Sequence, residues 1–463
     1  MSSKVLSNSL NSVNECTYKI LDNLTVNIKI TGNDLNIPPA VLFKMAARIN
    51  KKRSFLFVSK VLGKHLPVNP ITPILASSLL ASKYVMEVLH NEDEQLMKKR
   101  DFFMQSVHSK RILYEVKPFQ LSQKTIFIGF AETATALGHG VFENFQNAYF
   151  FHTTREKMDN KETMIQFEEE HSHATSHYCY IDPCHVQNQN PIVFIDDELT
   201  TGNTVLNIIH AIHGKFPRKS YTILTLLDWR AEESIQQFRQ MEKKLGIEIN
   251  VVSLIKGEIE VDSSNVMMNM EESNIHIKKT MGKIISVDLS DLMIRISPYY
   301  HHSSNTNYLW QTGRFGLDSS ETEEINQCVG TIARKLVSLR SGGKTLCLGT
   351  GELMYLPMKI ASLMGDQVYF QSTTRSPIYV SRNNDYLIQS KYTFPCPEDC
   401  SVQNYFYQIE PEMYQDVFVF FERELGESER APLLQQLAAL FPYVFVVTLS
   451  NGKGEVVREN GTY

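Results

Sequence analysis

Two adjacent carboxylates, Asp196 and Asp197, with Glu198 beside them, stand directly before a run of small hydroxyl, glycine and amide residues, Thr200-Thr201-Gly202-Asn203-Thr204. The chemistry open to that pairing is narrow. Carboxylates accept hydrogen bonds from sugar hydroxyls. A Thr/Gly/Asn loop at a helix N-terminus presents backbone N–H groups to an anion, and a glycine lets the backbone approach it closely. Together they suit a ligand with hydroxyls near its phosphate, a ribose 5-phosphate. The plain alternative is a strand end followed by a Thr-capped helix. The positioning elements are visible on either side. Ile192 to Ile195 is a short apolar run, the pattern of a strand buried on both faces, and Val205, Ile208, Ile209 and Ile212 recur at helical spacing.

A second loop of this kind lies upstream. The apolar run Thr125 to Gly129 ends in Phe130-Ala131-Glu132-Thr133 and then a small-residue helix pattern, which describes a backbone cradle for an anion. In this order the residues DDELTTGNT, 196 to 204, resemble the phosphoribosyl pyrophosphate (PRPP) motif of type I phosphoribosyltransferases. The resemblance implies that Asp196 and Asp197 hold the ribose hydroxyls and Thr200 to Thr204 the 5-phosphate. It implies a pyrophosphate loop at Ala131, Glu132 and Thr133, and magnesium as cofactor. It also implies a flexible loop closing over PRPP, and the patternless polar stretch from 156 to 190 is expected to be that lid, with Arg155 at its start. His171 and His173 on it are candidate hydrogen-bond donors or general acids. With His177 and Cys179 they do not make a standard zinc spacing, so no metal site of the protein's own is expected. Lys60 and Lys64, in FLFVSKVLGKHLP (55 to 67), either snorkel to water or bind anionic substrate groups.

Composition sets the frame. A chain of 463 residues has room for two or three domains. Its net charge of -5 gives no general attraction to nucleic acid or to an anionic membrane. Seven scattered cysteines suit a reducing cytoplasm, and the polar first fifteen residues read as a disordered tail with no signal peptide. Ile71 to Leu89 is apolar but broken by Ser77, Ser78, Ser82 and Lys83, which favours a core helix over a membrane span.

Strands near 126, 149, 193, 223 and 250 with helices between them predict an α/β fold with a mostly parallel sheet, its ligand at the carboxyl ends of the strands. Tyr18 to Thr31 reads as one half-buried strand, and Pro38-Pro39 opens a helix through Ala46. The C-terminal half repeats the plan. KTLCLG at 344 to 349 echoes KTIFIG at 124 to 129, and Glu352 and Glu132 each lie three residues after the closing glycine. Thr373-Thr374-Arg375 and Thr153-Thr154-Arg155 each begin 24 residues after it. VFVFFEREL echoes IVFIDDEL, with Glu422-Arg423 read as standing in for Asp196-Asp197 and Gly426-Glu427-Ser428-Glu429 in place of the Thr/Gly loop. Added carboxylates repel phosphate, so this copy is expected to have lost PRPP binding. Arg314, Glu352, Thr374 and Arg375 are then either a site for another ligand or structural.

Thr374-Arg375-Ser376-Pro377 completes a likeness to a two-domain bacterial family, an orotate-phosphoribosyltransferase-like domain joined to a TRSP domain, found in tellurium-resistance-type gene clusters. The expected layout is a tail at 1–15, a phosphoribosyltransferase domain at 16–256, a linker at 257–283 and a TRSP domain at 284–463. The expected activity is transfer of ribose 5-phosphate from PRPP to a nitrogenous small molecule. A PRPP- or nucleotide-sensing regulator on the same fold is the alternative, and a homodimer is left open. Members acting on 6-oxopurines carry an acid two residues before the motif glycine. Thr200 stands there, so hypoxanthine and guanine are expected to be poor acceptors.

Overall fold

The computed structural model describes residues 15–22, 24–48, 54–108, 112–158, 162–168, 176–263, 281–293, 296–300, 307–383 and 385–450. The first half runs β1 (Glu15–Leu21), β2 (Leu24–Gly32), α1 (Pro39–Leu42), β3 (Phe43–Ala47), β4 (Phe55–Ser59), α2 (Ile71–Glu87), α3 (Leu96–Ser106), β5 (Phe119–Gly129), α4 (Ala134–Phe142) and β6 (Phe145–His152). It continues through β7 (Ile165–Glu168), β8 (Ser176–Cys179), β9 (Ile192–Leu199), α5 (Asn203–Lys215), β10 (Ser220–Asp228), α6 (Glu232–Leu245) and β11 (Glu248–Ser263). The second half holds β12 (Lys283–Asp288), β13 (Ile296–Tyr300), β14 (Asn307–Leu309), β15 (Leu317–Asp318), α7 (Thr322–Val337), β16 (Thr345–Gly349), α8 (Tyr355–Leu363) and β17 (Val368–Ser372). Then come β18 (Lys391–Cys396), β19 (Asp399–Tyr407), β20 (Asp416–Phe421), α9 (Glu427–Leu440) and β21 (Tyr443–Thr448).

Two sheets carry the molecule. The larger has the order β1-β2-β11-β10-β9-β5-β6-β15, and the smaller β12-β21-β20-β16-β17. In both, the central strands are parallel, and they read as unbroken apolar runs because helices cover both faces. The order β10-β9-β5-β6 recurs as β21-β20-β16-β17, so the second half is a copy of the α/β plan of the first. Hairpins repeat as well: β7–β8 is tied to Thr154 through Tyr178, and β18–β19 to Thr374 through Tyr405.

The halves interlock. Each sends a short segment to the outer edge of the other's sheet. Val68 pairs with Phe370 of β17 and Gly63 O accepts from Ser372 N–H, while Leu317 pairs with Phe150 of β6 and Gly313 O accepts from His152 N–H. Gly63 and Gly313 both have positive φ, and a side chain on either would collide with Phe370 or Phe150. One apolar cluster runs through both halves, from Phe127, Phe142 and Phe150 to Leu317, Phe370 and Phe418. Helix α2, buried along nearly all its length, is part of that core, and among the described residues no helix is long and apolar enough to cross a membrane.

Several local expectations change. Tyr18 to Thr31 is a hairpin, β1 against β2. The helix after Pro38-Pro39 stops at Leu42, because Phe43 to Ala47 pairs with β4 and buries four of its five side chains. Strand β11 runs to Ser263, into the stretch read as linker, held by its antiparallel pairing with β2.

Candidate active site

Strand β9 delivers the acidic pair. Ile192 to Ile195 are fully buried, and Asp196, Asp197 and Glu198 emerge half-buried at its carboxyl end. Asp197 N–H donates to Asp196 Oδ1 at 2.9 Å, which orients the first carboxylate. The chain turns at Gly202, which caps α5 with φ 74° and no side-chain cap. Only glycine fits there, because an added Cβ would lie 2.5 Å from the Phe238 ring. Asn203 N–H donates weakly to Thr201 Oγ1 at 3.4 Å. Asp196, Asp197 and Thr200 to Thr204 thus share one lip, with the positive end of a 13-residue helix beneath it.

The second loop lies on the neighbouring strand. Gly129 of β5 pairs with Ile195 of β9, so Ala131, Glu132 and Thr133 leave the same edge of the sheet. Ala131 N–H donates to Thr153 Oγ1 at 3.0 Å, and that hydroxyl lies 2.9 Å from His177 Nδ1. The Thr133 hydroxyl is buried with no hydrogen-bond partner among the described residues. The Glu132 side chain turns away from the cup. It crosses to the second half, accepting from Thr374 Oγ1 at 2.8 Å and Arg375 N–H at 3.3 Å, with Arg375 Nε 3.9 Å away. Burial, the largest single influence, would lower the Arg375 pKa, but Glu132 and then Cys396, Glu352 and Glu156 together raise it.

Other sequence candidates are placed elsewhere. Lys60 Nζ donates to Ala40 O at 2.6 Å, and burial, helped by Lys44, lowers its pKa. Among the described residues no hydrogen bond or ion pair joins it to the acidic pair. Lys64 is half-buried and makes no hydrogen bond or ion pair among the described residues. His65 beside it packs edge-on to Tyr407, and burial, with Lys64 and Arg48 near, drives its pKa well below the usual value. Arg155 N–H donates to Glu352 Oε1 at 2.7 Å, across the boundary between halves. His171 and His173 lie outside the described residues. The expected lid is in part a packed hairpin: Ile165, Phe167 and Cys179 join the apolar cluster around β9, and His177 stacks on Phe167.

Of the four second-half candidates, Glu352 and Arg375 line one cavity with Glu132, Glu156, Glu398 and Glu422. Thr374 and Arg375 hold Glu132. Arg314 is fully buried over the Tyr308 ring, and it donates to Thr154 Oγ1 at 2.7 Å, Glu352 Oε2 at 3.0 Å and Glu422 Oε2 at 2.7 Å. Burial alone would lower its pKa, but Glu422, Glu156 and Glu352 raise it. Arg423 donates to Glu156 Oε2 at 3.2 Å and also lies over the Tyr308 ring. The Gly426 N–H of the second loop is taken by Glu429 Oε2 at 2.7 Å. Sheet register also corrects the sequence echo. Gly129 pairs with Ile195 and Gly349 with Phe420, so Asp196 corresponds to Phe421 and Asp197 to Glu422.

Three supporting residues escaped the sequence reading. Phe238 fills the space against Gly202, Arg230 lies 4.5 Å over its ring, and Arg230 forks onto Asp228 at 2.9 Å through both nitrogens. Asp228 pairs with Leu199, so this set braces the motif from the next strand. The only sequence signal was the D-W-R triplet closing β10, which has no chemistry until Phe238 is placed beside it.

Comparison with known proteins agrees with the sequence motifs. Residues 42–258 match the family model described as phosphoribosyl transferase, and residues 311–437 match the one described as the TRSP domain C-terminal to it. No curated protein matches the chain. Similar solved structures include the adenine phosphoribosyltransferases of Rhodothermus marinus (11% identity, TM-score 0.28, 46% of this chain and 93% of that one) and Giardia lamblia (13%, 0.28, 47% and 94%). That of Saccharomyces cerevisiae is similar too (11%, 0.24, 46% and 95%). Scores this low carry no argument, and the assignment rests on the two family models. The chain thus carries a phosphoribosyl transferase domain followed by a TRSP domain.

Proposed function

We propose that the first half transfers ribose 5-phosphate from PRPP to a ring nitrogen of a small acceptor and releases pyrophosphate. One observation carries this reading: the half-buried pair Asp196-Asp197 stands at the carboxyl end of β9, immediately before the Gly202-capped N-terminus of α5. Anionic side chains there suit the ribose hydroxyls, and the amides of residues 200 to 204 suit the 5-phosphate. The backbone of the neighbouring loop, with the Thr133 hydroxyl unpartnered among the described residues, suits the pyrophosphate. In the reaction the C1–O bond to pyrophosphate breaks with its electron pair, the C1–N bond forms, and the acceptor nitrogen gives up a proton. The sugar carries oxocarbenium character between the two, so the chain's part is to place charge and exclude water.

The donor set fits magnesium. Two carboxylate oxygens are hard ligands, and this ion takes few protein ligands beside substrate phosphates and water. Among the described residues no group of three or more His, Cys, Asp or Glu forms a closed site. Asp196 and Asp197 would hold the ion with its waters, and it would supply charge neutralisation on the departing pyrophosphate. Thr200 is not ionised near neutral pH, so the acceptor is an acidic or amide-bearing heterocycle rather than a 6-oxopurine.

The test joins binding to turnover. Calorimetry with PRPP and magnesium should show binding that D196N/D197N reduces about 100-fold or more, a few kcal/mol for lost charge-assisted hydrogen bonds. Unchanged affinity removes the assignment. Pyrophosphate release with orotate, uracil, adenine, hypoxanthine and guanine then ranks acceptors, and fastest turnover with either 6-oxopurine refutes the argument from Thr200. Binding with no turnover on any acceptor favours the sensing alternative.

A further inference from the structure

The halves exchange one contact twice. Glu132, in the loop after β5, crosses to Thr374 Oγ1 and Arg375 N–H. Glu352, in the loop after β16, crosses back to Thr154 Oγ1 at 2.6 Å and Arg155 N–H at 2.7 Å. The inner anchors repeat too. Ala131 N–H donates to Thr153 Oγ1 and Gly351 N–H to Thr373 Oγ1, both at 3.0 Å. Each loop is therefore clamped at two points, one within its own half and one from the other half. The two clamps are alike in geometry, but what they hold differs. The first loop stands beside Asp196, Asp197 and an α5 N-terminus whose Gly202 amide has no carboxylate on it. The second stands beside Phe421, Glu422 and a Gly426 amide already satisfied by Glu429.

We propose that Thr374 and Arg375, the first two residues of the TRSP motif, are positioning residues for the pyrophosphate loop of the first half. The inference rests on reading the first-half cup as the PRPP site. They act through Glu132 and need not touch substrate. A carboxylate that accepts a hydroxyl and an amide, with a guanidinium near, fixes Glu132 between Ala131, whose amide is held by Thr153, and Thr133, whose buried hydroxyl has no partner among the described residues. Released from that clamp, the loop must be ordered by the ligand, which weakens binding without altering the reacting atoms. The TRSP half is then a part of the first half's binding site supplied by the same chain, which accounts for a second copy that keeps Glu352 and Thr374-Arg375 but not the acidic pair.

The near mirror symmetry provides the control. Thr374→Val and Thr154→Val, made in the full chain, each remove one hydroxyl donor to a cross-half glutamate while keeping side-chain shape, and Thr154→Val also takes an acceptor from Arg314. Thr374→Val should raise the PRPP Kd and KM about 3- to 10-fold, a fraction of the worth of one hydrogen bond to a charged group because the loss reaches the ligand only through the loop, with kcat within about twofold. Loop residues 130 to 133 should exchange amide hydrogens faster in the ligand-free variant, a readout that does not depend on turnover. Thr374→Ser, which keeps the hydroxyl, should restore both. Thr154→Val should lower the melting temperature and leave PRPP Kd unchanged. Wild-type Kd in Thr374→Val, or an equal rise in Thr154→Val, overturns the proposal. A wild-type chain that does not bind PRPP overturns the reading beneath it as well, and calorimetry on the unmodified protein separates the two cases.

Discussion

His152 shows how much one buried side chain can tell about the molecule's response to acid. It closes β6, is buried, and lies 2.8 Å from Thr153 O through Nδ1. Burial first, and Arg314 second, lower its pKa to about 4, while Glu352 and Glu156 oppose the shift. The sign follows from linkage. The folded pKa lies below the unfolded value of about 6.5, so the contribution to stability is present above pH 6.5 and is lost as pH falls through about 4. At one proton it amounts to on the order of 3 kcal/mol. His152→Gln removes the titration. Urea unfolding at pH 7 and pH 4.5 should show the stability gap between wild type and variant shrinking by roughly 2–3 kcal/mol at the lower pH. A gap that does not change with pH would mean that His152 is not held neutral.

At the scale of elements, the cap of α5 decides whether the loop from Thr200 to Thr204 forms. Gly202 combines positive φ with contact against Phe238. Gly202→Ala meets both a left-handed backbone cost of about 1–2 kcal/mol and a collision with the ring. It should lower the melting temperature by several degrees and weaken PRPP binding at least 10-fold. Phe238→Leu in the same chain should recover part of the stability. Full affinity in Gly202→Ala would show that the cap geometry is not needed. Elements of this kind were legible. The run IVFI, the carboxylates and the TTGNT loop each act through neighbours in sequence, so strand, loop and helix could be placed from pattern alone. Short elements were not. Strands β7 and β8 have four residues each, too few for a period to show, so a packed hairpin read as open lid. Register was also hidden: VFVFFEREL can be slid by one residue against IVFIDDEL with little loss, and only the pairing of Gly349 with Phe420 shows that Asp196 became Phe421.

Across the whole molecule, contacts between residues some two hundred positions apart tie the halves, and no local pattern announces them. The repeated Glu and Thr-Arg pairs were visible in the sequence, but not that each Glu serves the opposite copy. Arg314 is the clearest case. Its guanidinium joins Thr154 of the first half to Glu352 and Glu422 of the second. Arg314→Met should destabilise the full chain by about 3–5 kcal/mol, because it strands buried carboxylates without their cation. Arg314→Lys should fall between, since an ammonium cannot fork across both partners. Thermal melting with both variants is the check, and a neutral Arg314→Met would mean that packing alone joins the halves.

The reciprocal edge strands carry a consequence for biosynthesis. Val68 finds its partner only when Phe370 has been made, about three hundred residues later. At ~5–20 residues per second that interval is roughly 15–60 s, during which a nascent chain already holding the segment from Asp196 to Thr204 has an unpaired edge segment and an open apolar face. The ribosome must finish most of the TRSP half before the transferase half can close. For this protein the demand for chaperones is set less by length than by the order in which two interlocked copies leave the exit tunnel.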